Sequence, residues 1–387
     1  MTRGTFVYIG GFRLPDKNAA AHRVMSVAKI LQNLGYSITF LHKTNNENAE
    51  KGCNSFKCVD LVRNNISDDV RYFYSIDYVK DYVKSNPNIV GIIAYNYPSI
   101  ALNRLRLFCK KIGILCIADI TEWYGIGEKK PLMYQIIKFL DTSFRMMYVH
   151  KKLDGCIVIS NYLYQYYVHY TPIIKIPPLV DVDDKKWDLG VKCTHDGIRL
   201  IYAGSPSREK ERLDIIVKAV SFFSPESYLS LNIIGITGNE FKEIYNYGAE
   251  IPSNINFYGR LNHSETIKQI SLCDYSIIVR DTNRVTKAGF PTKFVESIAC
   301  GTKVIANASS DLEYYIQQYQ LGILLHEVSV ECLIHQLKSL LQGKNKIPLG
   351  QKSRLIFDYR NYIELMRDFL NLLIDKKGSN NHATIQK

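Results

Sequence analysis

The chain has 387 residues, with 49 Lys and Arg against 37 Asp and Glu, and carries a formal net charge of +12. Because domains usually hold about 100–200 residues, this length predicts two domains. A hydrophobic fraction of 46% excludes a wholly disordered chain. No stretch approaches the roughly 18–20 apolar residues of a membrane-spanning helix, and the N-terminus shows no signal-peptide pattern. We therefore expect a cytoplasmic protein that at most rests on a membrane.

Apolar, β-branched runs alternate with longer helical patterns, which is typical of parallel α/β units. The predicted strands of the first half are residues 6–9, 38–41, 89–94, 114–118, 156–159 and 173–176. The clearest helix spans residues 18–34 and ends at Gly35. The second half repeats the scheme with strands at residues 198–203, 229–234, 255–258, 275–279 and 303–306. Two doubly wound domains are therefore predicted.

Two adjacent prolines, Pro177 and Pro178, separate the two series, and they suit neither a helix nor a central strand. We place a hinge there, between domains at residues 1–180 and 181–357. A last amphipathic helix within residues 358–376 follows, and residues 377–387 are expected to be disordered. Ligands of open α/β sheets bind at the carboxyl ends of strands, so residues there are the site candidates.

Nine cysteines occur singly along the chain, without a C-x-x-C pair. This spacing favours neither a zinc knuckle nor a disulfide framework. We expect reduced thiols in or near a core.

The most informative segment is residues 287–305, which predicts a helix from near Thr292 to Gly301 with Pro291 in its first turn. The free N–H groups of that turn, the Thr292 hydroxyl and the Lys293 ammonium would form an anion site. Glu296 follows one turn later, where a carboxylate can accept two hydrogen bonds from a ribose. An ordinary surface helix is the alternative.

A second cluster follows the first strand of the second half. Gly204 permits close approach of the backbone at the strand end. Arg208 and Lys210 lie on the loop into the next helix, where cationic side chains can bind a diphosphate. A solvated, charged loop is the alternative interpretation.

In their order and spacing these segments resemble the family 4 glycosyltransferases of the GT-B fold, of the bacterial polysaccharide type. The resemblance covers nearly the whole chain and includes Gly10-Gly11, residues 154–160, Ile176-Pro177, residues 204–210 and residues 291–305. The run from Ala288 to Glu296 is its most specific part. It implies an α/β protein with two Rossmann-like doubly wound domains facing across a cleft, and a C-terminal helix that packs back on the first domain.

The resemblance matches Lys210 to the diphosphate-binding lysine, with Arg208 as its helper. It matches Glu296 to the second glutamate of the family's motif, which would hold the donor ribose. Two family residues are missing, because Ala288 stands in place of the first glutamate and Ser205 in place of the arginine after Gly204. The remaining donor-site candidates are Gly11, Gly204, Arg280, Phe290, Pro291 and Thr292. Arg280 and Arg284 are the candidates to replace the lost charge, and a solvated loop is the alternative for Arg284.

Acceptor candidates lie in the first half, where a strand ends with Asp119, Glu122 and Trp123. Aromatic rings beside carboxylates suit a sugar, through stacking and hydrogen bonds to hydroxyl groups. Asn96, at another strand end, joins them. In the alternative interpretation Trp123 packs in the core and Asp119 caps a turn.

Basic residues outnumber acidic ones between residues 104 and 152, and large apolar side chains lie among them. This pattern predicts a basic helix with an apolar face that lies on an anionic membrane through Lys129, Lys130, Lys138 and Arg145. Nucleic acid is the rival partner, but no nucleic-acid-binding signature accompanies the charge, and we expect none to bind. A buried apolar face beside a solvated basic face is the third possibility.

These observations predict a hexosyltransferase that moves a sugar from a nucleotide-diphosphate donor to a lipid-linked glycan acceptor, at the inner face of the cytoplasmic membrane, in cell-surface polysaccharide assembly. The resemblance implies retention of configuration. Lys210, Arg208 and Lys293 would stabilise the leaving diphosphate. We expect no metal and no cofactor, since the Asp-x-Asp match at Asp181 and Asp183 lies on the predicted linker. The alternative, motivated by Ala288 and Ser205, is a catalytically weak donor-binding or scaffolding subunit.

Overall fold

The structure, a computed structural model, describes residues 2–14, 19–42, 56–60, 71–124, 131–187, 195–206, 210–343 and 349–385. The chain divides into two compact units. The first comprises Met1–Leu179 and Tyr359–Lys387, and the second is Val180–Asp358.

The first unit is built on a seven-stranded parallel sheet with the strand order β3-β2-β1-β4-β5-β6-β7. Its strands are β1 (Thr5–Gly10), β2 (Ser37–His42), β3 (Lys57–Asp60), β4 (Ile89–Tyr95), β5 (Leu115–Ile120), β6 (Gly155–Val158) and β7 (Ile173–Lys175). Its helices are α1 (Ala19–Asn33), α2 (Asp77–Lys84), α3 (Ser99–Ile112), α4 (Leu132–Phe144), α5 (Asn161–Tyr167) and α14 (Ile363–Ile385). A one-turn π-helix, Arg145–Val149, continues α4 directly. The central strands are buried along nearly their whole length, as expected of a parallel sheet covered on both faces.

Helix α14 packs on the first unit, as the resemblance implies. Its Met366, Phe369 and Leu373 belong to the same buried cluster as the side chains of β1 and α1. Gly155 is needed for this contact, because a Cβ atom there would lie 2.7 Å from the Phe369 ring. Residues 377–387 were predicted to be disordered, but the helix continues to Ile385. At the start of this segment the Lys377 ammonium lies 3.2 Å from the Asp154 carboxylate.

The second unit holds a six-stranded parallel sheet with the order β10-β9-β8-β11-β12-β13. Its strands are β8 (Ile198–Ala203), β9 (Leu229–Ile234), β10 (Ile255–Phe257), β11 (Tyr275–Ile278), β12 (Lys303–Asn307) and β13 (Gly322–Leu325). Its helices are α6 (Leu213–Ser221), α7 (Gly238–Tyr245), α8 (His263–Ser271), α9 (Arg284–Ala288), α10 (Thr292–Ala299), α11 (Leu312–Tyr319), α12 (Val330–Leu341) and α13 (Gln351–Arg354). The prediction of two parallel α/β domains is confirmed.

Two edge strands, β3 and β13, were not predicted. Both have four residues, and the described side chains in both are largely half-buried or exposed. The expectation of reduced thiols is correct for Cys109, Cys116 and four other described cysteines, of which all but Cys332 are buried. Cys58 in β3 is instead disulfide-bonded. The C-x-x-C pattern does not identify it, because Cys58 is not part of such a pair.

Candidate functional site

The site candidates of the second unit gather around the start of helix α10. This helix begins at Thr292, as predicted, but Pro291 is its N-cap residue and not part of its first turn. It ends at Ala299 with Cys300 as its C-cap residue, followed by Gly301 with the positive φ of +73° that glycine accommodates. The first N–H groups of a helix have no partner within the helix, so this end attracts anions.

Lys293 in the first turn of α10 reaches back to the end of strand β8. Its Nζ lies 2.6 Å from Glu211 Oε2 and 3.1 Å from the hydroxyl of Tyr202, and 4.2 Å from the centre of the Tyr202 ring. Gly204 allows this approach, because a Cβ atom there would lie 3.0 Å from the ammonium. The ammonium of Lys293 is therefore paired with a buried carboxylate, and its role at the diphosphate stays a prediction.

Glu211 and Tyr202 are buried partners in this cluster. The Tyr202 hydroxyl donates a hydrogen bond to Glu211 Oε2, and burial raises the pKa of Tyr202 well above its usual value. Burial alone would raise the pKa of Glu211. The charge of Lys293 and the hydrogen bonds that Glu211 accepts from Lys293 and Tyr202 hold that pKa below the usual value. The carboxylate is therefore ionised. Sequence reasoning missed Glu211, because a glutamate in a charged loop is usually solvated.

Arg280 joins the same cluster from the end of strand β11. Its backbone is held by the Asn307 side chain, whose Oδ1 accepts from the Arg280 N–H and whose Nδ2 donates to the Arg280 carbonyl, both at 2.9 Å. The side chain is buried, and its positive charge lowers the pKa of both Glu211 and Lys293. The structure therefore brings the two predicted cations, Arg280 and Lys293, to one place.

Glu296 lies on α10, one turn after Lys293, and its side chain is 22% exposed. Its Oε1 lies 3.1 Å from Nε2 of His263, the first residue of α8. The carboxylate is thus oriented by an imidazole that sequence analysis did not single out. No sequence motif marks His263, because it is 33 residues from Glu296 along the chain and the two side chains come together only in the folded protein.

The other donor candidates differ in how far they are buried and in what surrounds them. The Phe290 side chain packs among the rings of Phe294, Tyr315 and Phe357, so its ring is occupied by internal contacts. Lys210 is half-buried at the end of its loop, and Arg208 lies outside the described residues. Gly11 is exposed beyond strand β1, with open space around its Cα. The Thr292 side chain is half-buried.

The acceptor candidates of the first unit are mostly engaged in internal contacts. Asp119 is fully buried, where its carboxylate pairs with Arg23 at 2.9 Å and accepts a hydrogen bond from Tyr8. Trp123 is also buried, with its ring 4.9 Å from the ring of Tyr166. The prediction that these two side chains contact a sugar is therefore wrong, and the packing alternative holds for Trp123.

Two further acceptor candidates lie beside this buried group. Asn96 has a positive φ of 43°, and its Nδ2 donates to the Thr121 hydroxyl at 2.8 Å. That contact uses one of the two N–H donors of the amide. Glu122 is half-buried and remains the acceptor candidate among the predicted carboxylates.

Helix α4 of the first unit exposes nearly all of its apolar side chains, and only Thr142 of the helix is buried. Leu132 is 73% exposed, Met133 69%, Ile137 55% and Leu140 60%. The adjacent helix α3 adds exposed Arg104, Lys110 and Lys111. The third possibility, a buried apolar face, is therefore wrong for α4. No helix in the described part of the chain is long and apolar enough to cross a bilayer.

The basic residues predicted for membrane contact need one correction. Arg145 is buried, pairs with Asp141 at 3.3 Å and donates to the carbonyls of Asn96 and Tyr97. Lys138 is half-buried, with its ammonium 5.0 Å from the centre of the Tyr124 ring. Lys129 and Lys130 lie outside the described residues.

The Asp-x-Asp segment shows local contacts. Asp181 Oδ1 accepts from the backbone N–H of Asp183 at 3.3 Å, and the Val182 N–H donates to Asp358 at 3.1 Å. Within the described ranges, no three His, Cys, Asp or Glu side chains are grouped in a way that could hold a metal ion. Independence from metal stays a prediction.

Residues 192–356, nearly all of the second unit, match the family described as glycosyl transferases group 1. No curated protein sequence matches the chain significantly. Among solved structures, the chain is similar to sucrose-phosphate synthase from Thermosynechococcus elongatus, with a TM-score of 0.70 and 15% identity over 97% of this chain and 100% of that one. A glycosyltransferase from Rickettsia africae matches with a TM-score of 0.68 and 12% identity over 96% and 99% of the two chains. Anabaena HepE in complex with UDP and glucose matches with a TM-score of 0.64 and 11% identity over 95% and 99%.

Two parallel α/β units with this arrangement of strands have the GT-B fold of glycosyltransferases, over almost the full length of the chain. The match to the group 1 glycosyl transferases covers residues 192–356, within the second unit. The resemblance found in the sequence is confirmed.

Proposed function

We propose that the protein transfers a hexose from a nucleotide-diphosphate donor to a lipid-linked glycan acceptor, with retention of configuration. The observation that carries the proposal is the cluster at the start of α10, where Arg280 and Lys293 lie beside the glycine-ended strand β8. Buried cations next to a helix N-terminus suit a diphosphate. The family match and the UDP bound by Anabaena HepE support a nucleotide-sugar donor.

The chemistry requires no protein nucleophile. The acceptor hydroxyl oxygen forms a bond to the anomeric carbon while the bond from that carbon to the phosphate oxygen breaks. The acceptor proton passes to the leaving diphosphate on the same face. Lys210, Arg280 and Lys293 would stabilise the charge that develops on the diphosphate, and the carboxylate of Glu296, oriented by His263, would accept hydrogen bonds from the ribose.

The exposed face of α4 supports the lipid-linked acceptor and a position at the inner face of the cytoplasmic membrane. Monomeric proteins rarely expose a contiguous apolar patch of this kind unless it binds something. Basic side chains beside it on α3 favour anionic headgroups, while the apolar side chains can enter the acyl boundary. This arrangement would bring the enzyme to acceptors carried on lipid, as in cell-surface polysaccharide assembly.

Donor binding is tested by calorimetry with UDP, GDP, ADP and CDP, followed by turnover with the matching nucleotide sugars and lipid-linked acceptors. We expect one nucleoside diphosphate to bind and its sugar to be transferred with the anomeric configuration retained, as read by NMR of the product. Binding of none of them would contradict the proposed donor site.

Membrane docking is tested by co-sedimentation with anionic and neutral vesicles. Exchanging Leu132, Ile137 and Leu140 for Ser should reduce binding to anionic vesicles sharply without unfolding the protein, since all three side chains are exposed. Phe222→Ser, at a similarly exposed residue of the second unit, is the matched control and should bind as the wild type does. Equal binding by the triple variant would exclude α4, and tighter binding to DNA or RNA at matched salt would favour the rival partner.

The second candidate function is a catalytically weak donor-binding or scaffolding subunit. Ala288, in place of a carboxylate that contacts the donor sugar in the family, is fully buried and offers no polar group. The same experiments separate the two functions, because the subunit would bind the nucleoside diphosphate but transfer no sugar to any acceptor.

A further inference from the structure

We propose that Glu211 is a positioning residue of the donor site, which keeps the Lys293 ammonium charged and aimed at the end of strand β8. This inference rests on the proposed function, because it assigns the diphosphate as the ligand of Lys293. Nothing in the family pattern or in the sequence singles out Glu211. The proposal comes from three contacts that converge on one nitrogen atom.

The ammonium of Lys293 is held from three directions. Glu211 Oε2 lies at 2.6 Å, the Tyr202 hydroxyl at 3.1 Å, and the Tyr202 ring centre at 4.2 Å. The Lys293 side chain is only 12% exposed. A lysine side chain is flexible in solution, so these contacts select one position for the charge, directly against Gly204.

Glu211 is itself fixed in the fold. The Tyr202 hydroxyl donates to the same Oε2 atom that binds Lys293, and the Tyr245 hydroxyl donates to the Glu211 backbone carbonyl at 3.0 Å. The Glu211 side chain is 10% exposed, so it is nearly withdrawn from solvent. Glu211 therefore acts on Lys293 inside the protein. It does not bind the diphosphate, which carries a negative charge as Glu211 does.

The charges around Lys293 explain why a carboxylate is needed there. Burial lowers the pKa of Lys293, and Arg280, which faces it from the end of β11, lowers it further. Glu211 and, more weakly, Glu296 on the same helix oppose this, and the Tyr202 hydroxyl from β8 stays neutral. Without Glu211, two buried cations would share the site, and Lys293 would lose its proton most readily.

The main test is Glu211→Gln, which keeps the shape of the side chain and removes its charge. The affinity for UDP, with GDP and pyrophosphate as parallel probes, is measured by calorimetry between pH 6.5 and 9. Removing Glu211 lowers the pKa of Lys293, so the variant loses the ammonium as the pH rises. We expect affinity near that of the wild type at low pH and a loss of roughly tenfold or more at high pH, where the wild type changes little.

Two further variants show whether the effect passes through Lys293. The double variant Glu211→Gln/Lys293→Arg should lose the pH dependence, because a guanidinium stays protonated throughout this range. In a Lys293→Met background, Glu211→Gln should have no additional effect. Glu243→Gln, an exposed glutamate of the same unit, is the control and should match the wild type.

A direct readout does not need a bound ligand. The rate at which a small acylating reagent labels Lys293, followed by mass spectrometry, should rise at lower pH in Glu211→Gln than in the wild type. If the wild type binds UDP and both the affinity and the labelling profiles of the variant overlay those of the wild type, Glu211 has no positioning role. If none of the probes binds but the labelling profile shifts, the proposed function fails while the control of Lys293 by Glu211 stands.

Discussion

Asp119→Asn separates a structural role for this carboxylate from the acceptor-binding role that the sequence suggested. In the folded protein Asp119 is fully buried and accepts from Arg23 Nη2 at 2.9 Å, from Arg23 Nε at 3.2 Å and from the Tyr8 hydroxyl at 2.5 Å. The other end of the Arg23 guanidinium donates to the carbonyls of Ile176 and Pro177 at 2.6 and 2.8 Å. The hydrogen bonds of this ion pair thus connect β1, β5 and α1 to Ile176 and Pro177, which follow β7.

The substitution keeps the shape of residue 119 and leaves the Arg23 charge buried without a counter-ion. Removing one partner of a buried ion pair costs about 3–5 kcal/mol. For a folding unit of about 200 residues, each kcal/mol lowers Tm by about 2–4 °C, so the expected loss is about 6–20 °C. Calorimetry of the wild type and the variant measures it, with urea unfolding as a second measurement.

Two companion variants sharpen this experiment. Arg23→Met/Asp119→Leu removes both buried charges and should regain part of the stability that Asp119→Asn loses. Glu122→Gln, at the neighbouring half-buried carboxylate, should change stability little. A variant Asp119→Asn that unfolds like the wild type but has lost turnover would refute the structural role and restore Asp119 to the acceptor site.

Lys210→Ala should lower turnover about 100-fold at unchanged Tm, because one charge partner of the leaving diphosphate is lost; unchanged turnover at subsaturating donor would remove Lys210 from the site. Glu296→Ala should weaken binding of the nucleoside diphosphate by about 1.5–3 kcal/mol in calorimetry, and wild-type affinity would make Glu296 an ordinary helix residue. Activity should survive EDTA; complete loss restored by Mg²⁺ or Mn²⁺ would show that the cationic side chains do not suffice. Burial holds the pKa of His150 well below its usual value, so the free energy of unfolding should fall by up to about 1.4 kcal/mol per pH unit below about pH 6.5, and His150→Gln should reduce this slope.

Much of the fold was predictable because parallel α/β units have a local signature. The runs at β8 and β9 are continuous, β-branched and flanked by polar turns, and their predicted limits, residues 198–203 and 229–234, agree with the structure. Helix α10 could be placed from Pro291 and Gly301 because helix ends favour particular residues. Strands β3 and β13, whose described side chains are largely half-buried or exposed, were not predicted.

The sequence by itself determined the alternation of strands and helices, the boundary near the two prolines and the residues at the start of α10, because each depends on neighbours within a few positions. Tertiary structure alone decided which charges meet. Asp119 pairs with Arg23, which is 96 residues away along the chain, and Lys293 pairs with Glu211, which is 82 residues away. Such pairs depend on which strands lie side by side, and strand order is set by the burial of whole sheets and not by any local pattern. A carboxylate therefore looks the same in sequence whether it binds a ligand, as proposed for Glu296 in α10, or neutralises a buried cation, as Asp119 does at the end of β5.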